Sequence, residues 1–360
     1  MYEFREADVA PAGAHLLEEL DSRGWTQAEF ANILGRPVQF ISEIIHGKKE
    51  ITRESAAQIG AAFNMSAEYW LKLQDSFHLA KQREDGDAVA RLELVRRRAQ
   101  LRKMFPIPVL AQRGLVHPTD PDQQERDVLR LYRISSIDDQ RTFGLAARRS
   151  NVAEPLSQLQ EAWSVCVRDK AEIRPVSNYN EAAFLHLASA LPKRLRSARD
   201  FAALPDEFAD VGVKLVHIDA FPSSKLDGCA FFDGATPVIG LSGRGRRMDK
   251  VFFTLLHEAA HVLLGHVGSA PIVDEGNPEN VPDADIEKEA DDLAAKWSFG
   301  DGLPEAPARV NEAWIEATAK EYGLHPLVVI GRLQHDGILS WRTSLVREAP
   351  TVTRELQSWS

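Results

Sequence analysis

The sequence predicts a multidomain chain, an all-α helix-turn-helix bundle followed by an α+β domain organised around a His-Glu-x-x-His helix. Three observations carry this. Residues 11–82 read as a run of short amphipathic helices punctuated by glycines and capping residues. Three apolar, strand-like runs fall at 213–218, 228–232 and 237–241. A long apolar helix, roughly 248–264, follows them and holds His257, Glu258 and His261.

Bulk properties narrow the function classes. At 360 residues the chain is long for one domain, and a prior of roughly 100–200 residues per domain favours two or three. A hydrophobic content of 44% and a charged content of 27% are the balance of a globular protein with full apolar cores. Cys166 and Cys229 stand far apart without a CxxC pair, so they read as buried thiols in a reducing compartment. The first eight residues carry acidic side chains and no apolar h-region, and no stretch approaches the roughly 18 apolar residues of a membrane helix. The expected location is therefore the cytoplasm. A formal net charge of -10 argues against nucleic acid, whose affinity comes largely from neutralised phosphates. The charge is uneven, however. Arg36, Lys48, Lys49 and Arg53 lie close in sequence, and Arg96, Arg97, Arg98, Arg102 and Lys103 form a second basic stretch.

The first helix opens at Pro11, carries Leu16, Leu17 and Leu20, and ends at Gly24. Thr26 and Glu29 form a capping-box pattern before Phe30 and Ile33. Gly35 breaks that helix, and Pro37 stands where a first turn tolerates it. The next helix carries Phe40, Ile41, Ile44 and Ile45 and stops at Gly47, with two more expected over 52–63 and 66–82. Two helices joined by a glycine-containing turn make the helix-turn-helix pattern. Its second helix is the reader, with Val38, Ile41 and Ile44 or Ile45 inward and Gln39, Ser42, Glu43 and His46 outward. Gln39 can address adenine, Ser42 can donate or accept, Gln27 can reach a phosphate, and Lys48 and Lys49 follow the reader with backbone-binding charge. The same helices also suit a plain bundle.

Residues 34–49, Leu-Gly-Arg-Pro-Val-Gln-Phe-Ile-Ser-Glu-Ile-Ile-His-Gly-Lys-Lys, together with Glu-Tyr-Trp-Leu-Lys-Leu-Gln at 68–74, resemble the HigA-type antitoxin branch of the XRE helix-turn-helix family. That resemblance covers nearly all of 11–82. It implies a homodimer on a palindromic double-stranded DNA operator, usually repressing its own promoter; the expected DNA contacts are Gln27, Arg36, Gln39, Ser42, Lys48 and Lys49.

His257 and His261, at i and i+4, share one helix face and suit two ligands on one zinc ion. Glu258 projects beside them, placed to take a proton from water activated by the metal. A third ligand must come from elsewhere. Val267 stands where a histidine ten residues after His257 would be needed, and His266 lies well round the helix, suited to capping or hydrogen bonding. The acidic helix Glu-Lys-Glu-Ala-Asp-Asp-Leu-Ala-Ala at 287–295 offers Glu289, next to a packing face of Ala290, Leu293 and Ala294, with Glu287 as fallback. His325 is a candidate oxyanion donor, or a structural histidine.

Residues 253–266, 287–295, the Asp-Gly-Cys-Ala-Phe-Phe run at 227–232 and Val-Ile-Gly-Arg-Leu-Gln at 329–334 resemble the ImmA/IrrE metallopeptidase family. This implies a minimal zincin fold, Zn2+ held by His257, His261 and Glu289, and Glu258 as catalytic base. Ala260 replaces the family's usual glycine, and Leu293 and the segment from Lys296 depart from its pattern on the substrate side. The expected organisation is a DNA-binding domain (1–82), an Arg-rich helical connector (83–150), a metallopeptidase domain (151–345) and a C-terminal tail (346–360). The expected function is a DNA-binding regulatory zinc metalloendopeptidase acting on a protein such as a repressor. The alternative is a HigA-like repressor or antitoxin, partnered by a small toxin, whose zincin domain senses and cuts little.

Overall fold

The computed structural model describes residues 9–139, 148–149, 152–268, 272–274 and 284–359. The expectation drawn from the first eight residues, and the parts of the expected connector at 140–147 and 150, lie outside them. The chain divides into two compact units, Met1–Ala99 and Gln100–Ser360.

The first unit contains α1 (Ala12–Arg23), α2 (Gln27–Leu34), α3 (Val38–Ile45), α4 (Arg53–Phe63) and α5 (Ala67–Glu84). Local chemistry sets their ends. Thr26 and Glu29 complete a capping box at α2, Thr52 and Ser55 another at α4, and Gly24 and Gly35 close α1 and α2 in the left-handed region. Leu16, Leu20, Phe30, Ile41, Ile59 and Trp70 are buried together. Phe30 and Phe63 stack at 4.7 Å between ring centroids, with Trp25 and Trp70 on the flanks. Gly13 is required where α1 crosses α3, because a Cβ there would collide with the carbonyl oxygens of Ile44 and Ile45. Gln74 clamps the α3–α4 loop by accepting from the Ile51 amide at 2.5 Å and donating to its carbonyl at 3.2 Å. One expectation fails here. Val38 is 46% exposed, because it opens α3 and only Ile41 and Ile44, a turn further on, reach the core.

Helix α6 (Gly86–Met104) carries the boundary between the units. The expected connector is more than a connector. From Leu101 onward its apolar side chains join the core of the second unit. Leu101, Phe105, Ile107, Leu110, Val128, Leu131 and Tyr132 are buried with Trp163, Val216, Phe231 and Val238. The arginines on the outer face mask an apolar face at helical spacing, as Leu101/Phe105 and Val128/Leu131/Tyr132 show.

Among the described residues, the second unit is built on a six-stranded mixed sheet. Its strands are β1 (Arg148–Arg149), β2 (Val152–Pro155), β3 (Lys214–His217), β4 (Gly228–Asp233), β5 (Thr236–Leu241) and β6 (Ile272–Asp274), in the order β2-β1-β6-β4-β5-β3. β4 and β5 form an antiparallel hairpin, β3 runs parallel to β5, and β6 pairs antiparallel with β4. Alternation along the strands feeds two cores. Leu215, Ala230, Ile239 and Leu241 pack with the helix Met248–Leu263, whereas Val216, Cys229, Phe231 and Val238 pack with the helix Gln158–Glu172. Both faces are covered, which explains why these strands read as continuous apolar runs.

The expected C-terminal tail is part of this core. The Met248 amide donates to the Pro350 carbonyl and the Val352 amide to the Arg246 carbonyl, each at 3.0 Å. Val352, Leu356 and Trp359 are buried, and Trp359 Nε1 donates to the Phe201 carbonyl at 2.9 Å. Trp359→Ala should therefore destabilise the second unit by about 3–5 kcal/mol, the range for truncating a large buried aromatic residue. Denaturant unfolding followed by tryptophan fluorescence and circular dichroism checks this, and a change within error would return residues 346–360 to the status of a tail.

Candidate metal centre and nucleic-acid interface

The helix Met248–Leu263 begins where Arg247 ties its first turn down. The guanidinium donates to the buried Asp249 carboxylate at 2.9 and 2.5 Å and to Gln334 Oε1 at 2.7 Å. Val251, Phe252, Leu255, Leu256, Ala259 and Val262 fill the core. The opposite stripe brings His257 and His261 against the helix Ala284–Phe299. That helix turns Glu287, Ala290, Asp291, Ala294 and Ser298 inward, with the alanines and Ser298 buried.

Three donors converge. His257 Nε2 and His261 Nε2 lie 2.9 Å apart, and Glu287 places Oε2 at 3.1 Å from the first and Oε1 at 3.4 Å from the second. Burial opposes ionisation of Glu287, but hydrogen bonds and charge from both histidines outweigh it and bring its pKa down to about 2. Burial lowers the His261 pKa. Four ligands held tetrahedrally at about 2.0–2.1 Å from zinc lie about 3.3 Å from one another. The observed spacings bracket that value, so two imidazoles and a carboxylate fit a zinc ion by distance and by donor type.

Beyond the three donors stand two further layers. His257 Nδ1 meets Asp291 Oδ1 at 2.8 Å, and Asp291 Oδ2 faces His335 Nε2 at 3.6 Å. Burial opposes ionisation of Asp291, yet the two histidines hold its carboxyl well below the ordinary range. The bond to Asp291, against burial, raises the His335 pKa. On the other side His261 Nδ1 meets His266 Nδ1 at 3.1 Å, and His266 Nε2 meets Glu289 Oε2 at 3.2 Å. Glu258 is 1% exposed and lies against the start of β4. A Cβ at Gly228 would stand 2.5 Å from Glu258 Oε1 and 2.8 Å from Thr254 Cγ2. Glycine in the Asp-Gly-Cys run thus makes room for the Glu258 carboxylate.

Two assignments made from the sequence are corrected. Glu287, rather than Glu289, reaches both histidines, and the Glu289 side chain is 64% exposed and turned toward His266. At about 100° per residue, Glu289 sits roughly 200° round the helix from Glu287, whereas Asp291 at i+4 shares its face. His325 is the N-cap of the helix Pro326–His335, with Nδ1 accepting from the Leu327 amide at 3.1 Å. Ten residues of helix, about 15 Å at 1.5 Å each, separate it from His335 at the metal centre. Asp291 and His335 escaped the sequence reading. The spacing from Glu287 to Asp291 was the available signal for the first, and nothing local marks the second.

In the first unit, α2 and α3 present the expected polar surface with modifications. Gln39 Nε2 donates to Glu43 Oε1 at 2.9 Å, and Lys49 Nζ lies 3.4 Å from Glu43 Oε2. Glu43 therefore tethers its neighbours. Arg36 does not project freely: it donates to Gln58 Oε1 at 3.0 Å, pairs with Glu54 and covers the Phe40 ring. It secures the turn to α4. Ser42 is half-buried beside His46, whose Nδ1 lies 2.7 Å from the Ser42 carbonyl. Gln27 opens α2 half-exposed, and Lys48 and Lys49 are exposed. Val38 and Ile33, 46% and 51% exposed, add apolar surface beside them.

Residues 16–70 match the helix-turn-helix family model, and the first unit carries that domain. Among solved structures, the chain is similar to the Pseudomonas aeruginosa antitoxin HigA with the higBA promoter, at 24% identity. That match covers 23% of this chain and 91% of the other, with a TM-score of 0.22. It is also similar to an addiction module antidote protein of a HigA family from Coxiella burnetii, at 25% identity over 23% of this chain and 91% of that one, with a TM-score of 0.22. No curated protein matches the chain. Among the described residues, no helix is long and apolar enough to cross a membrane.

Two outcomes test the centre. Elemental analysis should find one zinc per chain, lost in Glu287→Ala and kept in Glu289→Ala; the reverse pattern would restore Glu289 as the ligand. The second concerns acid. A carboxyl at about 2 in the fold and in the ordinary range when unfolded binds fewer protons folded than unfolded between those values. Its stabilisation is complete above the ordinary carboxyl range and is lost as pH falls toward 2. Chelator-treated protein should lose stability through that window, and Glu287→Gln should flatten the loss in denaturant titrations at each pH.

Proposed function

We propose that this chain is a DNA-binding regulatory zinc metalloendopeptidase that cleaves a protein substrate such as a repressor. The observation that carries the reading is the convergence of His257, His261 and Glu287, with the buried Glu258 on the same helix. A zinc ion held by these three donors supplies a Lewis acid that polarises a scissile carbonyl and makes water a nucleophile near neutral pH. The rest falls to the chain's own side chains. Glu258 takes a proton from the attacking water at a carboxylate oxygen and delivers it to the departing amine. Burial against β4 at Gly228 keeps that carboxylate in one place and away from bulk water. Asp291 and His266 brace the two imidazoles from behind.

The helix-turn-helix match supports binding to a double-stranded DNA operator. In this reading α3 enters the major groove, where Gln39 and Ser42 address base edges, while Gln27, Lys48 and Lys49 contact phosphates. Arg36 holds the turn. A palindromic operator read by a homodimer follows from the two-fold symmetry such modules share with their sites. The second reading, a repressor or antitoxin whose metal domain is a sensor, is favoured by the same match, since DNA binding needs no peptidase.

Comparison of cellular protein termini after expression of the wild type and of Glu258→Gln decides between them. The proposal expects fragments that disappear in the variant while its zinc content stays at one per chain. Identical termini in both would leave the sensor reading. At the other end, Lys48→Ala should reduce the slope of log binding constant against log salt by about 1, whereas Gln39→Ala should cost about 1–3 kcal/mol on a selected site and little elsewhere. Equal losses on all sequences would remove Gln39 from base reading.

A further inference from the structure

The pattern Glu287-x-Glu289-x-Asp291 places three carboxylates on one helix: Glu287 between His257 and His261, Asp291 behind His257, and Glu289 behind His266. We propose that Asp291 and the His266–Glu289 pair are positioning residues that fix the tautomer and ring orientation of His257 and His261. The inference rests on the zinc reading above and adds to it a role for side chains that touch no metal.

The argument is one of donors and acceptors. A neutral imidazole carries one ring proton, so Nε2 offers a lone pair to a metal only when the proton sits on Nδ1. For His257 the acceptor of that proton is Asp291 Oδ1 at 2.8 Å. For His261 the facing atom is another ring nitrogen, His266 Nδ1 at 3.1 Å. His266 Nδ1 accepts only if its own proton is on Nε2, and Glu289 Oε2 receives that proton at 3.2 Å. An exposed carboxylate two hydrogen bonds beyond His261 thus selects the tautomer of His266 and, through it, that of His261.

The backbone serves the same end. The helix Met248–Leu263 closes on Leu264, and Gly265 turns left-handed at φ 69. The chain folds back, and the His266 amide donates to the His261 carbonyl at 3.1 Å. His266 is thereby anchored over the turn whose side chain it braces. On the facing helix, one turn separates Glu287 from Asp291, so the rotation that delivers the metal carboxylate also delivers the bracing one.

The test is zinc affinity of the full chain, read by competition with a chromophoric chelator. Asp291→Ala and His266→Ala should each weaken binding about 10–100-fold while one zinc per chain still binds at saturation, the usual cost of removing such a partner. Asp291→Asn and His266→Gln keep an amide oxygen able to accept from Nδ1 and should recover most of the loss. Glu289→Gln should move His261 Nδ1 in nitrogen-15 spectra of the zinc-loaded protein while leaving His257 Nδ1 in place. Wild-type affinity in both alanine variants would overturn the proposal while leaving the centre intact. A wild-type chain that takes up no zinc, or binds it equally well as His257→Ala, would overturn the metal reading and the proposal with it.

Discussion

Two helices must come very close for one short carboxylate to stand between two imidazoles, and that approach governs the second unit. The helix Ala284–Phe299 packs on the helix Met248–Leu263 with Ala290 and Ala294 buried on its inward side, and Ala260 is buried next to His261. Side chains of this size leave no bulk to hold the axes apart. Larger ones would lift Glu287 away from His257 and His261 and leave two buried imidazoles facing each other. Much of the remaining architecture holds this contact in place. The sheet backs one helix, Arg247 and Asp249 secure its first turn, and residues 350–352 lie along its entry.

The parts legible in the sequence are those written in local chemistry. The helices of the first unit announce themselves through capping boxes at Thr26 and Thr52 and left-handed glycines at Gly24 and Gly35. β3, β4 and β5 show as apolar runs because both faces are covered. The metal helix shows because its two histidines are a turn apart. What stayed hidden depends on partners distant in sequence. The choice between Glu287 and Glu289 turns on the rotation of a helix whose facing surface the sequence does not reveal. β1 and β6 are two and three residues long and are ordered by pairing with strands distant in sequence. Leu101 to Ile137 reads as arginine-rich because outward residues dominate its composition, while its inward ones complete a core. The mistaken inward placement of Val38 has the same origin, since apolar character alone does not say how far along a helix the core extends.

Charge is arranged differently in the two units. In the first, Glu43 lies among groups suited to an anion and is matched by Gln39 and Lys49, so an acidic side chain on the reader helix orders its neighbours. Arg36 pairs at the surface with Glu54 of the next helix. Arg36 and Lys49 therefore offer less unmatched charge than the sequence suggests. At the histidine cluster of the second unit, carboxylates are set against imidazoles. Such pairs keep every partner able to change its protonation or to accept a metal.

The wedge formed by Val352, Leu356 and Trp359 has a consequence in time. The core around Phe201 and the entry of the His257 helix at Arg246–Met248 close only once residues 350–359 have been made. The helix-turn-helix module, with a core made wholly of residues before 75, can close hundreds of residues earlier, since domains fold as units during synthesis. A nascent chain therefore completes its helix-turn-helix unit long before the core that carries His257 and His261.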